Sequence, residues 1–511
     1  MKLPTLDSAR LLVFVIFVQG VTFASAQAPV QAWVQHYAPN TNGALARYIG
    51  LDTNGNVFVS GTAGNGSNFG FATVAYSNTG TPLWTNRYDA GLRSASPASL
   101  AIGRDGNIFV TGSTYMQPSD PERSPFGFKF ATVAYSGSGA ALWTNSFSEG
   151  GGDARAGRIV VGQSGTVFVT GLSTPSNSLW KMTTVAYSSA GVLLWTNHYG
   201  STNPNSPSSS SGIAVDDKEN VFVAGSAYEA DNRSHYALVA YSGAGVPLWT
   251  NQYIGPINDF ASAVAVDGSG NVFLTGQAFG TNSVCDYLTV AYSGGGVPLW
   301  TNRYGTDYDS TPYAITVDTN GTVFVSGTSS SAPGFTDFAT TIAYSAAGSP
   351  LWTNRYDSPA PGRDAAVAVA ADGRGHVVVI CESDSVNSDY ITIWYSTSGT
   401  PLWTNRYDGP EHVNDGANAL AVDAAGNVFV TGRSWNGTNY EFATIKYAIL
   451  EPIPLQAQRV GDQIVLSWTN AAFGLQAAPG LSDVFTNVPD ATSPYTNGTA
   501  GESQFFRLIS M

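Results

Sequence analysis

The sequence predicts an all-β fold: an eight-bladed β-propeller closed by an N-terminal strand that completes the last blade, plus a small C-terminal β-sandwich-like module. Three observations predict it. A unit of roughly 50 residues recurs eight times, each copy carries four short apolar segments separated by turn formers, and a lone fragment of the unit precedes the first copy.

The copies begin near Ala44, Ala95, Ala154, Ser209, Ala261, Pro312, Ala365 and Ala417. The fifth reads ASAVAVDGSGNVFLTG and, after a loop, DYLTVAYSGGGVPLWTNRY. Its apolar runs predict strands a to d over 263–266, 271–275, 287–292 and 298–304. Asp267-Gly268-Ser269-Gly270 links a to b, and 293–296 links c to d; both hold residues that accept tight-turn backbone angles. VFLTG and TVAY are apolar on consecutive residues, so both faces of each sheet are covered. Sheets of constant size stacked face to face give a propeller or a solenoid, and a solenoid leaves two open ends.

The chain ends decide between these. The last copy stops at Tyr447 without its fourth strand, and Trp33-Val34-Gln35-His36-Tyr37 aligns without a gap on Trp84-Thr85-Asn86-Arg87-Tyr88. The N-terminal strand therefore supplies the missing edge and removes an open one. Each blade then carries one strand-d tryptophan: Trp33, Trp84, Trp143, Trp195, Trp249, Trp300, Trp352 and Trp403. One indole per blade at a fixed position reads as packing between blades rather than a ligand ladder.

Composition agrees with a globular, turn-rich protein: of 511 residues, 43% are hydrophobic and 11% charged, with 56 glycines. The net charge of -14 excludes nucleic acid as a favoured partner. Residues 1–26 combine Lys2 and Arg10, an apolar run from Leu11 to Phe23, and Ala24-Ser25-Ala26. That is a signal peptide cleaved near Ala26, so the mature chain is expected outside the cytoplasm with no membrane insertion. Residues 27–450 form the predicted propeller, as a monomer, and 451–511 the C-terminal module. Cys285 and Cys381 fall in blades five and seven, and the blade between them argues against a bridge, whose Cα atoms must come within about 7 Å.

The units VDxxGNVFVTG and FATVAYSxxGxPLWTNRY resemble the SBBP-type β-propeller repeats of secreted bacterial proteins, over roughly residues 31–447. The YSxxGxPLW portion is also similar to the blade motif of pyrroloquinoline-quinone-type propellers. The SBBP resemblance implies a binding or scaffolding role without established chemistry. Beyond the Glu451-Pro452-Ile453-Pro454 linker, strands are expected over 463–468, 473–478 and 504–509. This module resembles C-terminal modules ending in FFRL, which implies a spacer or surface-retention element.

Chemistry is sparse. His36, His198, His235, His376 and His412 lack metal-ligand spacing, and no catalytic residue is assigned. No cofactor is predicted. Asp52, Asp216, Asp267, Asp318, Asp372 and Asp423 open the a–b turns and suggest calcium, yet they lack the sixth-position glycine and distal glutamate of a calcium loop. Turn capping explains them. Asp153, Asp259, Asp309, Asp364 and Asp415 precede the inner strands and should gather at one mouth of the channel, as strand caps or as a ligand-binding ring. The insertions Tyr115 to Phe128 and Ser201 to Ser211 point to loop-borne binding. The expected function is a non-catalytic module binding an extracellular protein or glycan; the alternative is a propeller enzyme, quinone-dependent or polysaccharide-active.

Overall fold

The computed structural model describes residues 29–449 and 455–510, except 40–42, 66–67, 90–93, 117–126, 150–151, 176–178, 201–207, 229–232, 307, 332–336, 360–361, 384–387, 462, 470–472, 480–483 and 499–504. The signal peptide expected over residues 1–26 and the expected 451–454 linker lie outside the described residues. The chain divides into two compact units, one of Pro29–Ile449 and one holding the residues from Leu450 onward. No helix among the described residues is long and apolar enough to cross a membrane.

The larger unit consists of four-stranded antiparallel meanders over 44–88, 94–147, 154–199, 209–253, 259–304, 310–356 and 364–407, and an eighth over 416–448 with 30–37. In that eighth sheet Val30–Tyr37 pairs antiparallel with Tyr440–Ala448. The first two sheets are joined by a single bridge, Phe69 to Ser94. Sheet 5 runs Asp259–Val266, Val272–Phe279, Cys285–Tyr292 and Pro298–Tyr304. Strands a, b and c reach beyond the predicted bounds because their extensions carry Asp259, Gln277 and Asp286, whose polarity hides them from an apolar pattern.

Strands a of successive sheets lie beside one another, and Ala44–Leu51 also lies beside Gly416–Val422. The core is divided into eight apolar clusters, each drawn from two successive sheets. One of them combines Phe429 and Phe442 of sheet 8 with Ala46, Val59 and Val74 of sheet 1. Burial between sheets, rather than within one, explains why both faces of every strand b and c are apolar.

The recurring residues now have physical reasons. Every strand a is kinked by a register shift, as between Ala261 and Ala263. Opposite the kink, strand b carries the glycine of VFVTG. A Cβ on Gly61 would collide with the Leu45 carbonyl and sit 2.7 Å from Phe442 of the preceding sheet. The strand-d tryptophans are half-buried. Each except Trp403 donates its indole N–H to a c–d turn carbonyl of the next sheet, as from Trp300 to Ala346 at 3.0 Å. The turn glycine above it, Gly348 (φ +82°), has no room for a side chain: a Cβ would lie 2.5 Å from the Trp300 ring. The indole also fits between a strand-b phenylalanine of its own sheet and a strand-c tyrosine of the next, as with Phe273 at 5.9 Å and Tyr344 at 5.8 Å.

The smaller unit contains two three-stranded sheets, Gln456–Val460, Gln463–Ser467 and Tyr495–Gly498 in one, Thr486–Asn487, Phe473–Ala478 and Phe505–Ser510 in the other. Leu466, Trp468 and Leu475 form its buried core. Three of these strands were expected; the other three are short and polar.

Candidate functional site

The a–b turn aspartates are spent on their own turns. Asp267 Oδ1 accepts the amides of Ser269 (2.9 Å) and Asn271 (2.8 Å), and Oδ2 accepts the Asn271 side chain. Asp52, Asp216 and Asp423 repeat this pattern. In sheet 7 the asparagine is replaced by His376, whose Nδ1 lies 2.6 Å from Asp372 Oδ2. Burial pulls the Asp372 carboxyl up, but the His376 ring and the amides of His376 and Arg374 outweigh it and hold it below the ordinary carboxylate value.

The five carboxylates expected at the channel mouth all sit at strand-a starts, but with backbone amides as partners. Asp153 accepts the Phe128 amide at 3.0 Å and Asp309 the Cys285 amide at 2.9 Å, each tying its sheet to the start of strand c in the sheet before. Asp259, Asp364 and Asp415 are buried and turn back onto Gly255 (2.7 Å), Ser358 (2.6 Å) and Gly409 (2.5 Å). Where the aspartate turns back, its neighbour takes over the tie: Asn258 to Ser234, Arg363 to Asp337, Asn414 to Ser388. One oxygen of each acid accepts a backbone amide, so these acids lock the strand starts, while Asp259 Oδ1 and Asp364 Oδ1 are buried without a hydrogen-bond partner among the described residues.

Asp415 also joins Asp389 and Asp408, with one oxygen from each lying within 4.8 Å of the others. Burial pushes the carboxyls of Asp259, Asp389 and Asp415 above the ordinary range. Three carboxylates are the ligand type of a hard cation. The protein answers these charges itself, through Arg406 on Asp389, His412 on Asp408 and the Gly409 amide on Asp415. The remaining histidines are likewise accounted for: His36 meets Glu441 and His198 meets Glu149, both at 2.7 Å, and His235 is buried. Cys285 and Cys381 are buried and free, and burial raises both thiols, Cys285 to about 12.

The cavity that stands apart from the repeat spans sheets 3 to 5. It has a volume of about 430 Å³ and is lined by Arg155, Leu172, Trp180, Ser208, Ser209, Tyr228, Ser234 and Phe260. These residues lie at the end of the sheets that carries the b–c and d–a connections. Arg155, Ser209 and Phe260 share one register position in strand a, just ahead of its kink. The same position holds Leu45, Ser96, Thr311, Ala365 and Gly416 elsewhere, so the repeat leaves it free to vary. The Arg155 guanidinium lies 4.2 Å from the ring centre of Phe128 and 5.3 Å from that of Trp180. Phe128 in turn packs against Tyr115 with ring centres 5.2 Å apart. The described ends of both insertions, Phe128 and Ser208–Ser209, therefore meet at this cleft; residues 117–126 and 201–207 lie outside the described residues.

No protein-family model matches the chain, and no curated protein matches it. Solved structures do. Sqt1 of Chaetomium thermophilum, bound to the N-terminus of ribosomal protein L10, aligns with a TM-score of 0.51 at 9% identity, covering 82% of this chain and 100% of that one. The chain is a β-propeller repeat protein. A quinohemoprotein alcohol dehydrogenase of Pseudomonas putida gives 0.46 at 10% identity over 85% and 78% of the two chains. The β-propeller domain of the Trilobed protease of Pyrococcus furiosus gives 0.43 at 9% over 73% and 98%. At such identities a likeness speaks for the fold alone.

Within the propeller, the sheets are blades, and the cleft is where blades 3, 4 and 5 stop resembling their siblings. Sequence reasoning located the insertions beside it but missed Arg155, Trp180, Tyr228 and Phe260. The available signal was Trp180, a tryptophan outside the strand-d series, and the alternation of unlike residues at one strand-a position.

Proposed function

We propose that this protein is a secreted, non-catalytic binding propeller of eight blades that holds a glycan or protein ligand in the Arg155–Trp180–Tyr228–Phe260 cleft. One observation carries the reading: unlike side chains converge on a cavity of ligand size, at the end of the blades with the variable connections, on a scaffold otherwise fixed by repetition. The eight-blade count and ring closure rest on the eight inter-sheet clusters, on the packing of sheet 8 against sheet 1, and on the pairing of Val30–Tyr37 with Tyr440–Ala448. Secretion rests on residues 1–26, and the kinship with SBBP repeats on the VDxxGNVFVTG motif. The 451–511 module would serve as a spacer or surface anchor.

Glycan arrays and capture from the cell envelope, run with the intact mature chain and with the Trp180→Ala/Phe260→Ala double variant, test the proposal. Ligand retained by the first and lost by the second, at an unchanged denaturation midpoint, is the expected result. Equal capture by both would remove the cleft as the site.

A further inference from the structure

We infer that the cleft is built for an acidic saccharide, a hexuronate residue whose carboxylate is taken by Arg155; this rests on the binding reading above. Arg155 carries the inference. In a chain with 36 acids against 22 bases, several guanidinium groups find carboxylates, as Arg87 with Asp89, Arg303 with Asp286, Arg406 with Asp389 and Arg433 with Glu382, and others are bonded elsewhere, Arg355 to the Tyr304 hydroxyl and Arg158 to the Ala98 carbonyl. Arg155 has no ion pair or side-chain hydrogen bond among the described residues. It is steadied instead by the rings of Phe128 and Trp180. A guanidinium held by aromatic faces keeps its donor fork in place for a planar carboxylate, which it binds through two parallel bonds.

The aspartates that lie close to Arg155 and Phe260 in sequence do not claim it. Asp153 is turned to the Phe128 amide, and Asp259 is buried against Gly255. The rest of the lining suits a sugar. Ser209 and Tyr228 bring hydroxyls with no hydrogen-bond partner among the described residues, and Leu172 and Phe260 supply apolar wall for the C–H face of a pyranose. An acidic peptide shares the charge, but peptides gain affinity by pairing with an open strand edge. Here Leu172 is paired on both sides, with Arg155 and Met182, and the strands a of blades 3 and 4 flank each other. The hydroxyl-lined cleft therefore favours the saccharide.

Titration calorimetry on the intact mature protein tests this with tetramers of galacturonate, glucuronate and mannuronate, the methyl ester of each, a neutral glucan tetramer and a polyglutamate peptide. At least one uronate tetramer should bind, with methyl esterification and Arg155→Gln each weakening it by about 10-fold or more. Arg155→Lys should lie between Arg155→Gln and the parent, and the denaturation midpoints should stay in place. No uronate binding, equal binding of an ester, undiminished binding by Arg155→Gln, or equal competition by polyglutamate would each overturn the inference. If a neutral glycan or a protein binds instead and is lost in Trp180→Ala/Phe260→Ala, the binding reading stands and the acidic-sugar inference alone falls. If no ligand responds to that double variant, both fall.

Discussion

The seam between blades 5 and 6 and the two seams flanking blade 7 solve one packing problem with different residues. At the first, Trp300 lies between Phe273 and Tyr344, bonds the Ala346 carbonyl, and is roofed by Gly348, while Asn302 donates to the Gly348 carbonyl at 2.6 Å. Tyr287 of blade 5 lies over Gly327 of blade 6. In blade 7 the phenylalanine becomes Val378, and its cross-strand partner, alanine in blades 1 to 6, becomes Trp394. Trp394 lies 6.3 Å from Trp403, which reaches Tyr447 of blade 8 at 5.0 Å. At the 6/7 seam Ala339 replaces the aromatic or Met182 found elsewhere, and Cys381 replaces the glycine it would have covered. The difference teaches that the repeat specifies a summed volume across each seam rather than a residue at each position.

Blade 8 is completed by a strand from the other end of the chain, so it sets the largest expected effect. Removing residues 30–37 exposes the Tyr440–Ala448 edge and strips Trp33 from the 8/1 cluster. The urea transition followed by tryptophan fluorescence should lose its cooperativity; a single transition at the original midpoint would break the ring. Next in size is the 6/7 exchange. Ala339→Phe should cost about 1–3 kcal/mol by overpacking against Cys381. Adding Cys381→Gly should recover part of that loss, and a double-mutant cycle with no coupling would refute volume exchange.

A smaller test separates the 5/6 seam from the 7/8 seam. Blade 8 takes its strands c and d from opposite ends of the chain, so Trp403 faces no c–d turn carbonyl. Trp300→Phe therefore loses a hydrogen bond that Trp403→Phe never had, a difference of about 1 kcal/mol in urea unfolding beyond the shared loss of ring volume. Equal costs at the two positions would mean that the indole N–H contributes nothing to the seam.

The fold was legible because its period, its turn glycines and the unpaired Trp33 strand are local signals that repeat. Cys381 was visible only as a small residue; its reason, the loss of an aromatic at Ala339, lies 42 positions away and needs the register of two blades. The strand-start aspartates were found by position, yet no sequence pattern tells that Gly255, Ser358 and Gly409 amides would claim them. Asp389 and Asp408 were missed because they flank a strand and meet Asp415 only in the folded seam. The cleft was hidden for the same reason: Arg155, Trp180, Tyr228 and Phe260 converge from three blades.

The smallest expected effect concerns charge in blade 7 and its 7/8 seam. Asp372 has a folded value below the ordinary one, so its stabilisation is present above the ordinary value and is lost as pH falls through the folded value. Asp389 and Asp415 have raised values, so the folded state keeps protons the unfolded chain has released. Their contribution is fully present in acid and declines as pH rises from the ordinary carboxylate value through the raised one. Asp372→Asn should lower the urea midpoint at pH 7 and leave it unchanged in strong acid. Asp415→Asn, which keeps an acceptor for the Gly409 amide, should raise the midpoint at pH 7 and flatten the decline above pH ~4. If both variants moved the midpoint in the same direction at pH 7, the two carboxylates would not be under opposite electrostatic load.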